Sequence, residues 1–166
     1  MNSYVAESES SAPAKPAWRA VWSLGLGVFG LITAEFLPAS LLTPMASSLG
    51  VTEGVAGQTV TATALVALVT GLLITSATKS IDRRWVLMFF TFLQIISSLL
   101  VAFAPSLQVL LMGRLLLGVA IGGFWAMSTA TAMRLVPARD VPKALSIIFA
   151  GVSIATVVAA PLGSFL

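Results

Sequence analysis

Long apolar runs fill most of this chain, and short polar breaks separate them. Five runs stand out, at about residues 20–46, 55–77, 85–104, 107–133 and 144–166. Each is near the ~20 residues a helix needs to cross the hydrocarbon core of a bilayer. The pattern therefore predicts five transmembrane helices in an all-α membrane protein. The breaks are short, so consecutive helices are predicted to be antiparallel neighbours. Pro105, Pro137 and Pro142 fall in breaks or at helix starts, where a missing N–H costs little. Residues 1–17 are rich in Ser, Ala, Pro and Glu and are predicted to form a disordered cytoplasmic tail. Residues 18–166 form the predicted membrane domain, entered through Trp18, Arg19 and Trp22, a set that suits a membrane–water interface.

The polar breaks carry an orientation. Lys15 and Arg19 precede the first run; Lys79, Arg83 and Arg84 lie between the second and third; Arg134, Arg139 and Lys143 lie between the fourth and fifth. The breaks at 47–54 and 105–106 hold no Lys or Arg. By the positive-inside rule, the N-terminus is predicted to be cytoplasmic.

Composition agrees with the pattern and removes other classes. The chain is 58% hydrophobic and 9% charged, with a mean hydropathy of +1.02, against about a quarter charged for a soluble domain. With no cysteine and no histidine, disulfides, thiol chemistry and Cys-based metal sites are excluded. No Ser/His pair, metal-ligand cluster or nucleotide loop is present, so neither an enzyme nor a metal site is expected. The net charge of +3 sits in loops between apolar runs. The expected partner is thus the lipid bilayer and not nucleic acid. The first apolar run is too long for a secretory signal.

Two ionisable side chains interrupt the apolar runs, Glu35 in the first and Arg114 in the fourth. Counting from Pro44 and Ser106 at ~1.5 Å per residue, both lie roughly 12–14 Å below the outer surface. They have similar depth and opposite sign. Charge at that depth is costly and marks functional paths. Arg does not lose its proton, so Glu35 is the candidate proton carrier, with a proton affinity that depends on the distance of the guanidinium. The competing reading is a structural ion pair that fixes helix register.

Trp125 follows Arg114 by eleven positions, which returns it to within roughly 20° of the same helix face. It is a substrate-contact candidate, since aromatic faces suit flat ligands. Phe124 is a weaker one, more often core- or lipid-facing. Gln58 and Thr61, with Thr59 and Thr63, make the start of the second helix polar; they line a cavity or bond to neighbouring helices. Small residues recur every fourth position at Gly118, Gly122, Ala126 and Ala130, and again at Gly151, Ala155, Ala159 and Gly163. Such stripes let helix backbones approach closely; ordinary close packing explains them, and the first is a packing face that the fifth helix could match. Pro161 interrupts the last turns and is predicted to bend the fifth helix as a gate or seal.

Several runs resemble a known family. GRLLLGVAIGGFWAM, from Gly113, resembles the fourth-helix motif of major facilitator superfamily transporters, in which an Arg is followed by spaced glycines. GVSIATVVAAPLGSF, from Gly151, resembles the fifth-helix motif of its twelve-helix drug:proton antiporter branch, with Ala159 where Gly is common. TAEFLPASLLTPMASSLGVTEGVAGQ, from Thr33, resembles the first helix of that branch, which often carries an acidic residue near Glu35. The family loop after the second helix reads Gly-x-x-x-Asp-Arg-x-Gly-Arg-Arg. Aligned on Arg83 and Arg84, this chain has Thr75, Lys79 and Asp82 at the first Gly, the Asp and the second Gly. The resemblance gives Asp82, Arg83 and Arg84 a latching role at the cytoplasmic helix ends, with Asp82 as a displaced carboxylate. The runs AEFLP, SLLTPMA, EGVAGQ, GGFWAMS, MRLVP, VPKALS and APLGSFL are together similar to a bacterial subgroup that exports purine ribonucleosides.

The resemblance implies five helices of a six-helix N-terminal half, hence a truncated chain whose C-terminal helices are its missing partners. It implies proton-coupled efflux of purine ribonucleosides such as inosine and guanosine across the bacterial inner membrane, with the proton gradient as energy source and no cofactor. The alternatives are a broad drug or sugar exporter of the same family, or a non-functional membrane fragment.

Overall fold

The computed structural model describes residues 16–79 and 81–165, and leaves the side chains at 39, 40, 42, 160 and 163–165 outside that description. The predicted tail lies outside the described residues except at its end. There Ala17 is anchored, its N–H donating to the Leu135 carbonyl at 2.9 Å.

The described chain is helical. It runs α1 (Trp18–Ser40), α2 (Leu42–Leu49), α3 (Glu53–Ala77), α4 (Arg83–Ala102), α5 (Leu107–Leu135), a short 3-10 turn (Ala138–Asp140) and α6 (Val141–Phe165). Five helices among the described residues are long and apolar enough to cross a membrane, all but the eight-residue α2. Local chemistry sets their starts. Thr52 Oγ1 accepts from the Val55 N–H at 3.3 Å. Asp82 Oδ1 accepts from the Arg84 N–H at 2.9 Å. Ser106 Oγ accepts from the Val109 N–H at 3.5 Å. Each satisfies a first-turn donor that the helix leaves open.

The first predicted helix does not run through to residue 46. It breaks at Leu41, and α2 follows. Pro44 has no N–H for the carbonyl of residue 40, and its ring crowds that carbonyl, which favours a break at this point. Gly50, at φ +64°, then ends α2 in the left-handed conformation, which glycine adopts without steric cost. α6, by contrast, continues through Pro161 as far as Phe165.

α5 is the centre of the bundle, buried at Leu110, Leu117, Ala120, Ile121, Phe124 and Met127. Close approaches give the register. Thr63 meets Arg114 and Ala67 meets Gly122, so α3 runs parallel to α5. Ser97 meets Gly113 and Phe90 meets Gly123, so α4 runs antiparallel to it. Glu35 meets Arg114 and Gly27 meets Phe124, so α1 is antiparallel as well. Gly25 and Gly151 bring α6 alongside α1.

A match between the two small-residue stripes is not what forms. Gly118 and Gly122 close on the backbone of α3, and Gly151 closes on α1. The reason is steric: a methyl at Gly122 would collide with the Ala67 carbonyl, and one at Gly151 with the Gly25 carbonyl. The outward faces carry exposed Leu65, Leu68 and Leu72 on α3, and Met88, Phe92 and Ile95 on α4. Apolar patches of that extent mark contact with lipid or protein. The chain is a multi-pass membrane protein.

Candidate functional site

Arg114 is the largest fully buried side chain among the described residues, 1% exposed. Its Nη1 donates to the backbone carbonyl of Glu35 at 3.4 Å. Nε and Nη2 find no hydrogen-bond partner among the described groups. The depth match between Glu35 and Arg114 thus takes the form of a long side-chain-to-backbone contact. The Glu35 carboxylate is half-buried and makes no ion pair within the described residues, where the one salt bridge joins Arg139 to Asp140 at 3.7 Å. Among the described residues, an ion pair that locks the register is not formed.

The surroundings of Arg114 are apolar. A cavity of about 10 Å³ beside it is lined by Pro38, Met45, Ala56, Thr59, Val60 and Leu110, room for at most one water. A second cavity, of about 360 Å³, shares Pro38 and Met45 with the first and is lined also by Leu37, Leu41, Ser97 and Leu117. A third, an open groove of about 810 Å³, lies between α1 and α4 and is lined by Gly27, Gly30, Arg84, Gln94 and Phe124.

The other candidates separate. Trp125 is half-buried, with its indole tilted against Phe149 of α6 at 5.7 Å between ring centres. Arg114 turns to α1 and Trp125 to α6, and α3 closes against Gly118 and Gly122. Phe124 is 3% exposed and packs its ring against Gly27, which makes it a packing residue with one edge on the groove. Gln58 and Thr61 are exposed and do not reach Arg114. The buried threonines of α3 are Thr59 and Thr63. At one turn per 3.6 residues, positions 59 and 63 share a face that 58 and 61 do not.

At the end of the bundle that carries the basic residues, the Asp82 carboxylate is engaged as the α4 cap and Arg84 is exposed on the groove. Arg83 is half-buried, with Nη1 unpartnered. Lys143 places its ammonium over the Trp18 ring at 5.1 Å, a cation–π contact at the α1 and α6 starts. Ala155 is fully buried in α6, while Pro161 is exposed; the Gly163 side-chain position lies outside the described residues.

Of the polar residues at the start of α3, Thr63 is one that bonds to a neighbouring helix, its Oγ1 donating to the Arg114 carbonyl at 3.1 Å. Ser97 carried no distinctive signal in the chain; its Oγ donates to the Gly113 carbonyl at 2.8 Å. It sits in an apolar helix, where a small hydroxyl does not stand out until its partner is seen.

Comparison with known proteins bears on what the pair can do. The profile of the Major Facilitator Superfamily matches residues 24–166. The chain is 57% identical over its full length to the purine ribonucleoside efflux pump NepI of Shigella dysenteriae serotype 1. It is 56% identical to the proteins of that name from Salmonella typhimurium and Escherichia coli O6:H1, again over its full length. The chain spans 42% of the length of these relatives.

Proposed function

The chain belongs to the major facilitator superfamily, and from that premise we propose that it forms part of a proton-driven exporter of purine ribonucleosides. The observation that carries this reading is the buried Arg114 reaching the Glu35 segment inside the membrane, without neutralising the carboxylate. Glu35 takes and releases the proton. Arg114, permanently charged, sets the proton affinity of Glu35 by its distance. A conformational change that moves α5 relative to α1 changes that distance, which couples proton release to the exposure of the cavity. The segments of the relatives outside the matched 42% supply the facing half of that cavity, as in folds where the site lies between repeats near the midplane.

The names of the relatives, at 56–57% identity, support purine ribonucleosides such as inosine and guanosine as cargo. The proton gradient is the energy source. The protein sits in the bacterial inner membrane with its N-terminus in the cytoplasm, because every basic residue of the described loops lies on the side where α1 begins.

The test is inosine export by the intact transporter in inverted vesicles energised by a proton gradient. Glu35→Gln abolishes gradient-driven export and leaves membrane insertion and gradient-independent exchange in place. Undiminished gradient-driven export by that variant removes Glu35 from the coupling role. Export of drugs but of no nucleoside by the wild type overturns the cargo.

A further inference from the structure

We propose that Ser97 and Thr63 are positioning residues for Arg114, holding α5 at the rotation that presents the guanidinium to Glu35. The proposal rests on the coupling role given to Arg114 above, and it concerns what keeps that side chain in place.

Nothing at the tip of Arg114 does so. Nη1 has only a long bond of 3.4 Å to the Glu35 carbonyl, and Nε and Nη2 have no partner among the described groups. A side chain so weakly tethered follows its own backbone. That backbone is tethered from two sides. The Gly113 carbonyl accepts from Ser97 on α4 at 2.8 Å, and the Arg114 carbonyl accepts from Thr63 on α3 at 3.1 Å. Consecutive carbonyls lie about 100° apart around a helix, so the two bonds pull from different directions and together oppose rotation of α5. Both hydroxyls are out of solvent, Ser97 at 0% and Thr63 at 1% exposure.

Glycines make the bonds possible. A methyl at Gly118 would collide with the Thr63 carbonyl at 2.5 Å, and one at Gly113 would press on Val101 at 2.9 Å, Leu100 at 3.2 Å and the Ser97 carbonyl at 3.3 Å. The absence of those methyls lets α3 and α4 come close to α5.

The two tethers differ. Thr63 has one hydroxyl proton and two carbonyls in reach, Thr59 at 2.9 Å in its own helix and Arg114 at 3.1 Å across to α5. It can release α5 without leaving its proton unsatisfied. The Ser97 bond goes to α5, so α4 is the fixed side and α3 the releasable one.

The experiment is a double-mutant cycle on the intact transporter, reading gradient-driven inosine export and its KM. Thr63→Val and Ser97→Ala each lower the maximal rate roughly three- to tenfold, the range expected for one interhelical hydrogen bond in a membrane protein, with KM unchanged. Thr63→Ser, which keeps the hydroxyl, restores the rate. In an Arg114→Gln background neither substitution lowers the rate further, because residues acting through one group are non-additive. Ser97→Ala removes a single oxygen, so it serves as the second arm if Thr63→Val does not accumulate in the membrane. Losses that add to the Arg114→Gln loss, or that Thr63→Ser fails to restore, overturn the positioning role alone. Undiminished export by Arg114→Gln itself overturns the coupling reading and this proposal with it.

Discussion

A guanidinium inside an apolar bundle is tolerated only where its cost is shared, and at Arg114 the sharing is uneven. One N–H reaches a backbone carbonyl, while the other donors face an apolar wall and a cavity of about 10 Å³. The residues that make room for this arrangement are the glycines. Gly122 lies against the Ala67 carbonyl and Gly71 of α3. Gly122→Val forces that contact apart, and overpacking of this kind costs about 2 kcal/mol. The expected outcome is a lower unfolding temperature for the purified protein in detergent, with reduced yield from membranes. Gly57 is the contrast, since a methyl there meets nothing within 4 Å. Gly57→Ala keeps the wild-type unfolding temperature or raises it, by the better helix propensity of about 1 kcal/mol. Equal losses from both substitutions would show that α3 and α5 do not approach at Gly122.

Among the elements, the division between α1 and α2 falls where Pro44 weakens the helix. Pro44 cannot donate to the carbonyl four residues back, and the helix stops at Leu41. The return from α2 is secured by Thr43, whose Oγ1 donates to the Glu53 carboxylate at 2.7 Å at the start of α3. Pro44→Ala removes the block, and α1 is expected to run into α2 as one helix. Spin labels at Phe36 and Ser47 would then report a backbone separation of about 16 Å, from eleven residues at ~1.5 Å each. A distance that does not change with the substitution would place the cause of the break elsewhere, for instance in the packing of Ala46, which is 3% exposed. The α3, α4 and α5 starts depend on Thr52, Asp82 and Ser106. The use of Asp82 as a cap also engages the carboxylate that was to serve as a latch at the helix ends.

For the whole molecule, the distribution of charge decides orientation and the distribution of apolar surface decides environment. Arg19, Arg83, Arg84, Arg134, Arg139 and Lys143 gather at the end where α1, α4 and α6 begin. A green fluorescent protein fused after Asp140 is therefore expected to fluoresce, and one fused after Val51 to remain dark, because the reporter folds only on the cytoplasmic side. The reverse pattern would invert the proposed topology. The outward face of α3 carries Leu65, Leu68 and Leu72, each at least 60% exposed. Leu65→Asp, near the middle of α3, is expected to cost about 3 kcal/mol of insertion free energy, read as the inserted fraction in a glycosylation-mapping assay. Insertion equal to wild type would mean that this face does not meet the bilayer core.

The chain by itself determined the number of spanning helices, their approximate extents, the side on which the basic loops gather and the common depth of Glu35 and Arg114. All of these depend on distance along one helix, and rise per residue is nearly constant. It did not determine which helices touch. A segment that is apolar on every side carries little information about its azimuth, so the small-residue stripe at Gly118 and Gly122 marked a packing face without identifying the helix it meets. The tertiary structure decided for α3, because only there does backbone lie close enough to exclude a side chain. It also decided that Arg114 meets the Glu35 carbonyl instead of its carboxylate, that Trp125 turns to Phe149, and that Thr63 and Ser97 hold the α5 backbone. Those outcomes depend on rotation about the helix axis and on contacts between residues as much as 79 positions apart. Neither is encoded in a local pattern, and both are settled only when the helices close on one another.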